Sequence, residues 1–322
     1  MVSLINPINL QDLKKEGDFY IDSQGNCFPV KNGVLRIVEE KNYTESFGFQ
    51  WNKFQKTQID RETHNLQFSK ERFFAETGWD KEDLSGKNVL EVGSGAGRFS
   101  KIVLEYTNAN LYSIDYSDAV SANYNNNGHF GDRFKLFQAS IYEMPFPDNS
   151  FDKVFCFGVL QHTPDFKRSV QCLVGKVKPG CELVVDFYCI KGWWTKIHAK
   201  YLLRPITKKM KHEKLLRLIE QNVGWLMRLY FFFDKIKIGK IMNRFLPICD
   251  IKGTLPTNLS RQELKEWVIL DTFDMFSPQY DSPQKLSTVK KWFEEFGMEV
   301  RFAGEVVYGH GFKAVTVKGI KK

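Results

Sequence analysis

A glycine-rich segment with acidic neighbours is the part of this 322-residue sequence best suited to chemistry. Gly93, Gly95 and Gly97 follow the segment Asn88-Val-Leu-Glu-Val, which predicts a strand, a tight backbone turn and then a helix. Asp115 stands about 20 residues further on, at the end of the next predicted strand, where a carboxylate can hold two ribose hydroxyls. Together these residues predict a nucleoside-containing cofactor at the carboxyl ends of the strands.

Glu91 distinguishes between classes of nucleoside cofactor. Dinucleotide sites favour the spacing G-x-G-x-x-G, whose backbone receives a pyrophosphate. Here the spacing is G-x-G-x-G, and Glu91 precedes the first glycine by two residues. A carboxylate at that position would repel a pyrophosphate and attract a cationic amine and sulfonium. The pattern therefore disfavours an NAD-dependent oxidoreductase.

The segment 91–97 resembles the first motif, E-x-G-x-G-x-G, of the class I S-adenosylmethionine (SAM)-dependent methyltransferases. The resemblance continues through residues 113–117, 141–152, 157–165 and 178–180, and so covers roughly residues 85–190. Residues 43–54 and 271–280 resemble a bacterial subgroup of this family, often suspected in surface-glycan or secondary-metabolite pathways. In that subgroup the N-terminus often resembles a zinc-ribbon-like module. Here Cys27 alone remains of such a cysteine set, so no metal is expected.

The resemblance implies a SAM site, with S-adenosylhomocysteine (SAH) as the product. It places four residues around the methionine part of the cofactor: Glu91, Gly93, Ser94 and Gly95. It places Asp115 on the ribose and Tyr116 beside the adenine. Ser140 and Ile141 stand where family members usually carry an acidic residue before a small one. Ser140 departs from that pattern, so its adenine contact is expected to be weaker or to pass through the backbone.

The reacting end of the site is predicted near the end of the fourth strand of the core. Phe157 and Gly158 would lie under the sulfonium, by the same resemblance. Methyl transfer mainly needs alignment, and a hydroxyl or ammonium nucleophile must also lose a proton. His162 is the best-placed base, since imidazole titrates near neutrality; alternatively it only orders the turn before Pro164. His310, between two glycines, is a weaker candidate.

Polar residues of a proline-containing segment, 271–283, are candidates for contacting the substrate. We interpret this segment as a long loop, and loops above the strand ends surround the reacting centre. Asp271, Asp274 and Tyr280 would contact the substrate, or the loop would be an ordinary solvated one. Upstream, Phe47, Phe49 and Trp51 would either cover the cofactor or attach an N-terminal helix to the sheet.

The charge of the chain is unevenly distributed. The net charge is +8, yet residues 191–244 hold 14 Lys/Arg against three Asp/Glu, which leaves the remainder at −3. The same stretch contains Trp193, Trp194, Trp225 and the aromatic run 230–233. Such a segment suits peripheral contact with a membrane surface. It equally suits nucleic acid, through phosphate contacts and base stacking. The third alternative is a helical insertion whose aromatic residues face the core while its lysines are solvated.

Strands alternate with helices from residue 88 onward, which predicts an α/β fold with a doubly wound, mostly parallel, seven-stranded Rossmann-like sheet and helices on both faces. We predict four parts: an N-terminal extension (1–60), a SAM-binding core (61–190), a basic helical insertion with the substrate loop (191–283), and a last helix with two strands (284–322). Six cysteines without C-x-x-C spacing and no apolar run near bilayer length suggest a cytoplasmic protein, or one peripheral at the inner membrane face.

The function expected from these features is methyl transfer to an oxygen or nitrogen of a small-molecule, glycan or lipid-linked acceptor. An RNA acceptor is the first alternative, although no Asn/Asp-Pro-Pro-aromatic tetrapeptide is present. The second is a binding protein that keeps the fold without catalysis.

Overall fold

The computed structural model describes residues 2–38, 42–60 and 67–322. Within these ranges eleven strands form one sheet, in the order β1-β2-β3-β4-β7-β6-β5-β8-β9-β11-β10. Their bounds are β1 Lys14–Glu16, β2 Phe19–Ile21, β3 Cys27–Lys31, β4 Val34–Ile37, β5 Asn88–Val92, β6 Asn110–Asp115, β7 Phe134–Ala139, β8 Phe151–Cys156, β9 Val177–Asp186, β10 Met298–Tyr308 and β11 Phe312–Lys321.

The centre of the sheet is parallel. Strands β7, β6, β5, β8 and β9 lie side by side in one direction. β11 completes the sheet antiparallel to β9, and β10 pairs antiparallel with β11 at the edge. Each parallel neighbour needs a crossover, and helices supply it on both faces of the sheet. These seven strands confirm the predicted doubly wound sheet.

Four N-terminal strands lengthen this sheet beyond seven. β4 pairs in parallel with β7, with Leu35 opposite Phe137, and β3, β2 and β1 follow as an antiparallel meander. Leu35 and Ile37 are buried against the main core, so the pairing both covers the β7 edge and buries apolar surface. The short strands predicted for the extension therefore belong to the same sheet as the core.

Eleven α-helices lie within the described ranges. Their bounds are α1 Glu45–Lys53, α2 Phe68–Thr77, α3 Arg98–Tyr106, α4 Ala119–Asn127, α5 Phe166–Lys176, α6 Ala199–Thr207, α7 His212–Lys235, α8 Gly239–Met242, α9 Ile251–Thr254, α10 Arg261–Phe276 and α11 Leu286–Glu295. The helix expected from residue 63 is seen from Phe68, and its expected first residues, 63–66, lie outside the described residues.

The segment after β9 forms a second core with helices α7 and α10. Leu216, Ile219 and Tyr230 of α7 are buried together with Trp267 and Phe273 of α10. The placement of Asp271 and Asp274 in a loop was wrong, because both lie in the last turns of α10. A reciprocal side-chain cap starts this helix at Ser260, and its apolar residues keep it packed until Pro278 interrupts the chain.

None of the helices in the described parts of the chain combines the length and apolar character that crossing a bilayer requires.

Candidate functional site

The glycine-rich segment forms a tight turn at the carboxyl end of β5. Gly93, Gly95 and Gly97 all have positive φ angles, of 82°, 53° and 85°. The backbone N–H groups of Gly93 and Ser94 donate to the carbonyl of Ile114, at 2.8 and 3.1 Å. A Cβ atom at Gly93 would lie only 2.2 Å from a methyl carbon of Val159, in the loop after β8. The turn is thus held between the ends of two neighbouring strands, where only glycine fits.

Asp115, at the end of β6, faces this turn. One carboxylate oxygen accepts from the backbone N–H of Gly95 at 2.8 Å. The other accepts from the N–H of Ser117 at 2.8 Å and from its hydroxyl at 2.6 Å. Burial raises the pKa of Asp115 above its usual value, although these donors oppose the rise. Asp115 lines the cavity that begins here, and the oxygen that accepts only from Gly95 retains a lone pair for a ligand hydroxyl.

Glu91 lies beneath the turn instead of on its cavity side. Its side chain is 2% exposed and accepts from the hydroxyls of Ser113, at 2.5 Å, and Ser100. Burial raises the pKa of Glu91 to about 7. Glu91 is not among the described residues that line the cavity, so its charge would reach a bound cation from below the turn.

One cavity of about 680 Å³ runs from the glycine turn towards the helical insertion. Most of the predicted site residues line it: Gly93, Ser94, Gly95, Asp115, Tyr116, Ile141, Phe157, Gly158, His162, Asp271 and Asp274. Ser140 is buried behind the wall, where its hydroxyl accepts from the N–H of Tyr142 at 3.2 Å. Tyr280 also lies outside the described cavity lining, and its ring packs edge-on against Tyr43.

His162 is held in one orientation. Its Nδ1 lies 3.0 Å from the backbone carbonyl oxygen of Tyr280. Because a carbonyl can only accept, Nδ1 carries the proton of the neutral ring, and the lone pair of Nε2 has no donor within the described parts of the chain. Burial lowers the pKa of His162 below its usual value, which favours this neutral form. The rings of Phe47 and Tyr188 pack on either side, with centroids 5.2 and 5.6 Å away.

Asp271 and Asp274 lie one helical turn apart on the cavity side of α10. Burial, and then the nearby charge of Asp274, raises the pKa of Asp271 to about 7. Gln58 donates an amide N–H to Asp271 at 3.2 Å. The carboxyl of Asp271 can therefore hold a proton near neutral pH.

The structure adds a charged group that sequence reasoning missed at the end of β9. Asp186 accepts from the backbone N–H of Gly158 and from the guanidinium of Arg72. Arg72 also pairs with Glu76 at 2.7 Å. Arg72 and Asp186 are far apart in the sequence, and the packing of α2 on β10 and β11, next to β9, brings them together.

Arg98 is the second residue that was missed, although it directly follows the glycine turn. Its Nη1 donates to Gln58 at 2.7 Å and its Nε to Ser69 at 3.2 Å. Its Nη2 is buried and has no hydrogen-bond partner within the described residues. Arg98 lines the cavity, and burial, followed by the charge of Arg72, lowers its pKa to about 10. A guanidinium nitrogen left without an acceptor beside a cavity suits an anionic group of a ligand.

These groups fit SAM, the cofactor implied by the resemblance. The carboxylate of Asp115 can accept from a ribose hydroxyl, and the glycine turn lets the backbone approach the chain that joins ribose and amino acid. The free Nη2 of Arg98 matches the carboxylate of a methionine, and the buried Ser94 hydroxyl also lacks a partner among described residues. The donor set therefore suits a nucleoside carrying an amino acid.

Comparison with known proteins agrees with this chemistry. Residues 90–185 match a family model described as "Methyltransferase domain". The chain is 28% identical over 198 residues to the tRNA U34 carboxymethyltransferase of Nautilia profundicola, covering 60% of this chain and 59% of that protein. It is 31% identical over 98 residues to the sterol 24-C-methyltransferase of Yarrowia lipolytica, covering 30% of this chain and 26% of that protein. The matches thus span about a quarter to three fifths of these relatives.

Among solved structures, the chain is similar to the SAH-bound magnesium protoporphyrin IX methyltransferase of Synechocystis PCC 6803. The TM-score is 0.49 at 12% identity, covering 87% of this chain and 96% of the other.

Proposed function

Because the chain contains a class I SAM-dependent methyltransferase domain, we propose that it transfers a methyl group from SAM to an oxygen or nitrogen of a small-molecule, glycan or lipid-linked acceptor. One observation carries the proposal: a single cavity joins the glycine turn and Asp115 to the neutral His162 and the acids of α10. A cofactor and an acceptor can therefore meet in one space.

The cofactor would be held by the ends of β5, β6 and β7. Asp115 binds the ribose hydroxyls, and Tyr116 and Ile141 flank the adenine. Gly93 and Gly95 let the backbone approach the methionine part, and its carboxylate accepts from Nη2 of Arg98. This assignment is supported by the Ser94 hydroxyl and Nη2 of Arg98, which are buried and have no hydrogen-bond partner among the described residues.

The reacting end lies beside Phe157 and Gly158 in this proposal. SAM supplies an activated methyl group with a neutral thioether leaving group, so the protein has to align the nucleophile and exclude water. Tyr43, Phe47 and Trp51 line the cavity beside the turn. A Cβ atom at Gly95 would lie 3.1 Å from the indole nitrogen of Trp51, so this ring covers the turn closely.

His162 would accept the proton that the acceptor loses. Its free Nε2 and its lowered pKa keep a basic nitrogen available at neutral pH. Tyr280, through its carbonyl, fixes the tautomer and acts as a positioning residue. Asp271 and Asp274 would hold hydroxyl or amino groups of the acceptor. Both line the cavity, and they lie close enough for the charge of Asp274 to raise the pKa of Asp271.

An RNA acceptor is the second candidate. Two observations favour it: the partial similarity to a tRNA carboxymethyltransferase and the +11 charge of residues 191–244. A base flipped out of its stack could enter the same cavity.

The test begins with calorimetry of SAM and SAH, where we expect binding, and continues with labelled SAM against lipid, glycan, small-metabolite and RNA fractions. Label in one of the first three fractions supports the proposed acceptor class. Label in RNA alone would replace that class by the second candidate. If the chain bound neither SAM nor SAH, the proposal would be overturned in favour of a non-catalytic binding protein.

A further inference from the structure

The helical insertion exposes apolar side chains that its own core does not use. In the turn after β9, Trp193 is 80% exposed, and on α6 Leu202 and Ile206 are 65% and 67% exposed. Leu202 and Ile206 are four residues apart and therefore share one face of the helix. Arg204, on the other side of α6, donates to the carbonyls of Met275 and Pro278 at the end of α10. The helix is thus anchored by one face and presents the apolar one.

A second apolar stretch lies next to the first. Residues 236–245 expose Ile236, Ile238, Ile241, Met242 and Phe245, with Ile241 67% exposed. Arg244 joins the two stretches, because its Nη2 donates to the carbonyls of Trp194 and Ile197 at 2.6 and 3.1 Å. We call the exposed apolar and basic side chains of residues 193–206 and 232–245 the insertion surface.

Basic residues are interspersed with these apolar ones. Lys196, Lys235, Lys237 and Lys240 are exposed within the insertion surface. The acid of this region, Asp234, is paired with Lys252. Among the residues that the structure describes, these four lysines form no salt bridge, so the surface combines unpaired positive charge with exposed apolar side chains.

We propose that the insertion surface docks on an anionic lipid bilayer. Lysines would meet lipid phosphates, and the apolar side chains would enter the boundary between headgroups and acyl chains, as in amphipathic helices that lie on membranes. Aliphatic side chains such as Ile206 and Ile241 gain nothing from stacking on bases, which favours lipid over RNA. A second copy of the chain would bring the same positive charge against itself, which opposes a dimer through this surface.

The insertion surface also borders the cavity. Trp194 and Arg244 belong to the turns that carry the insertion surface, and both line the cavity that reaches His162. This step rests on the proposed function. An acceptor anchored in the bilayer could then enter from the membrane side, so the acceptor class narrows to membrane-resident amphiphiles.

The first experiment is flotation of the whole chain with vesicles of phosphatidylcholine alone or with one third phosphatidylglycerol. We expect binding to the anionic vesicles and its loss at high salt. The double variant Trp193→Ser/Ile241→Ser should bind at least about tenfold more weakly, because it removes two apolar side chains that would leave water for the bilayer. Ile8→Ser, 80% exposed on the N-terminal extension, is the matched control and should bind like the unchanged chain.

The second arm tests charge. Lys235→Glu/Lys240→Glu should weaken binding to anionic vesicles, whereas Lys14→Glu/Lys15→Glu, a pair exposed on β1, should weaken it much less. Trp193→Phe should reduce quenching of tryptophan fluorescence by brominated lipid, since Trp193 would lie in the bilayer.

Two results would overturn the proposal: no vesicle binding, whether or not the chain binds tRNA, or equal binding by the insertion-surface variants and their controls. SAH calorimetry on the same variants keeps this test separate from the proposed function. A chain that binds SAH but not vesicles contradicts only the docking, whereas a chain that binds vesicles but not SAH contradicts only the methyl transfer.

Discussion

The carboxylate of Asp115 accepts a hydrogen bond at 2.8 Å from the backbone N–H of Gly95, in the turn between β5 and α3. The acid expected to bind ribose therefore also shapes the turn that approaches the rest of the cofactor. Ser117 donates twice to the same carboxylate, so its orientation is determined before any ligand binds.

Replacing Asp115 should separate its contribution to ribose binding from its contribution to the shape of the glycine turn. Asp115→Asn keeps an acceptor for Gly95 but loses the charge, and should weaken SAH binding by about tenfold or more, the value of a charged hydrogen bond. Asp115→Ala also releases the turn and should weaken it at least about a hundredfold. Calorimetry measures both. Asp132→Ala, at an exposed position, is the control, and unchanged SAH affinity in folded Asp115→Ala would contradict the ribose assignment.

Gly93→Ala should disturb the turn through a specific clash. Its new Cβ would meet Val159 at 2.2 Å, whereas Gly86 also has a positive φ angle but open space around it. Gly86→Ala should thus cost only backbone strain, about 1–2 kcal/mol of unfolding free energy. Gly93→Ala should cost more and also weaken SAH binding, in denaturant unfolding and calorimetry respectively.

A second-site change tests the cause. Val159→Ala removes the two methyl carbons nearest the new Cβ, so it should restore part of the SAH affinity lost in Gly93→Ala. Equal behaviour of the Gly86 and Gly93 variants would show that the contact with Val159 does not matter.

Glu91→Gln should change how stability depends on pH. Burial raises the pKa of Glu91 to about 7 in the folded chain, above its ordinary 4.5, so the folded state binds more protons between these values. The stabilisation is complete below about pH 4.5 and is lost as the pH rises through about 7, a contribution of up to about 3 kcal/mol. Glu91→Gln should flatten this part of the pH dependence.

The measurement for Glu91 is urea unfolding at several pH values between about 5 and 8, where this linkage operates. Glu143→Gln, at an exposed position, is the matched loss of one carboxyl. The same slope in the Glu91 and Glu143 variants would disprove the buried, proton-holding carboxyl.

The central sheet and the glycine turn could be predicted because their signals are local. Apolar runs of strand length alternate with segments whose apolar residues have helical spacing. The turn needs glycine at every second position from Gly93 to Gly97. Even the burial of Glu91 has a local cause. Its side chain alternates with those of Leu90 and Val92 on β5 and so points to the opposite face of the sheet. There the hydroxyls of Ser100 and Ser113 donate to its carboxylate.

Other parts depend on contacts between distant segments. Asp271 was assigned to a loop because prolines follow it, yet packing of α10 against α7 extends the helix past this residue. The pairing of Arg72 with Asp186 requires α2 and β9 to meet, and no sequence spacing encodes it. Likewise, the joining of β4 to β7 depends on an open sheet edge that the strand pattern alone does not reveal.

His162→Gln should separate proton transfer from cofactor binding. The glutamine amide can still donate to the carbonyl of Tyr280, but it cannot take a proton at neutral pH. With an identified acceptor, kcat should fall by about 10²–10⁴-fold while SAH affinity stays within about twofold.

In the unchanged chain, activity should rise with pH through a midpoint below the ordinary value of 6.5, because burial lowers the pKa of His162 and the neutral form is the base. His310→Gln, an exposed histidine, should keep both the rate and the profile. An unaltered kcat in His162→Gln would assign the proton to another acceptor, and Asp271→Asn would be tested next because the pKa of that carboxyl is raised to about 7 in the same cavity.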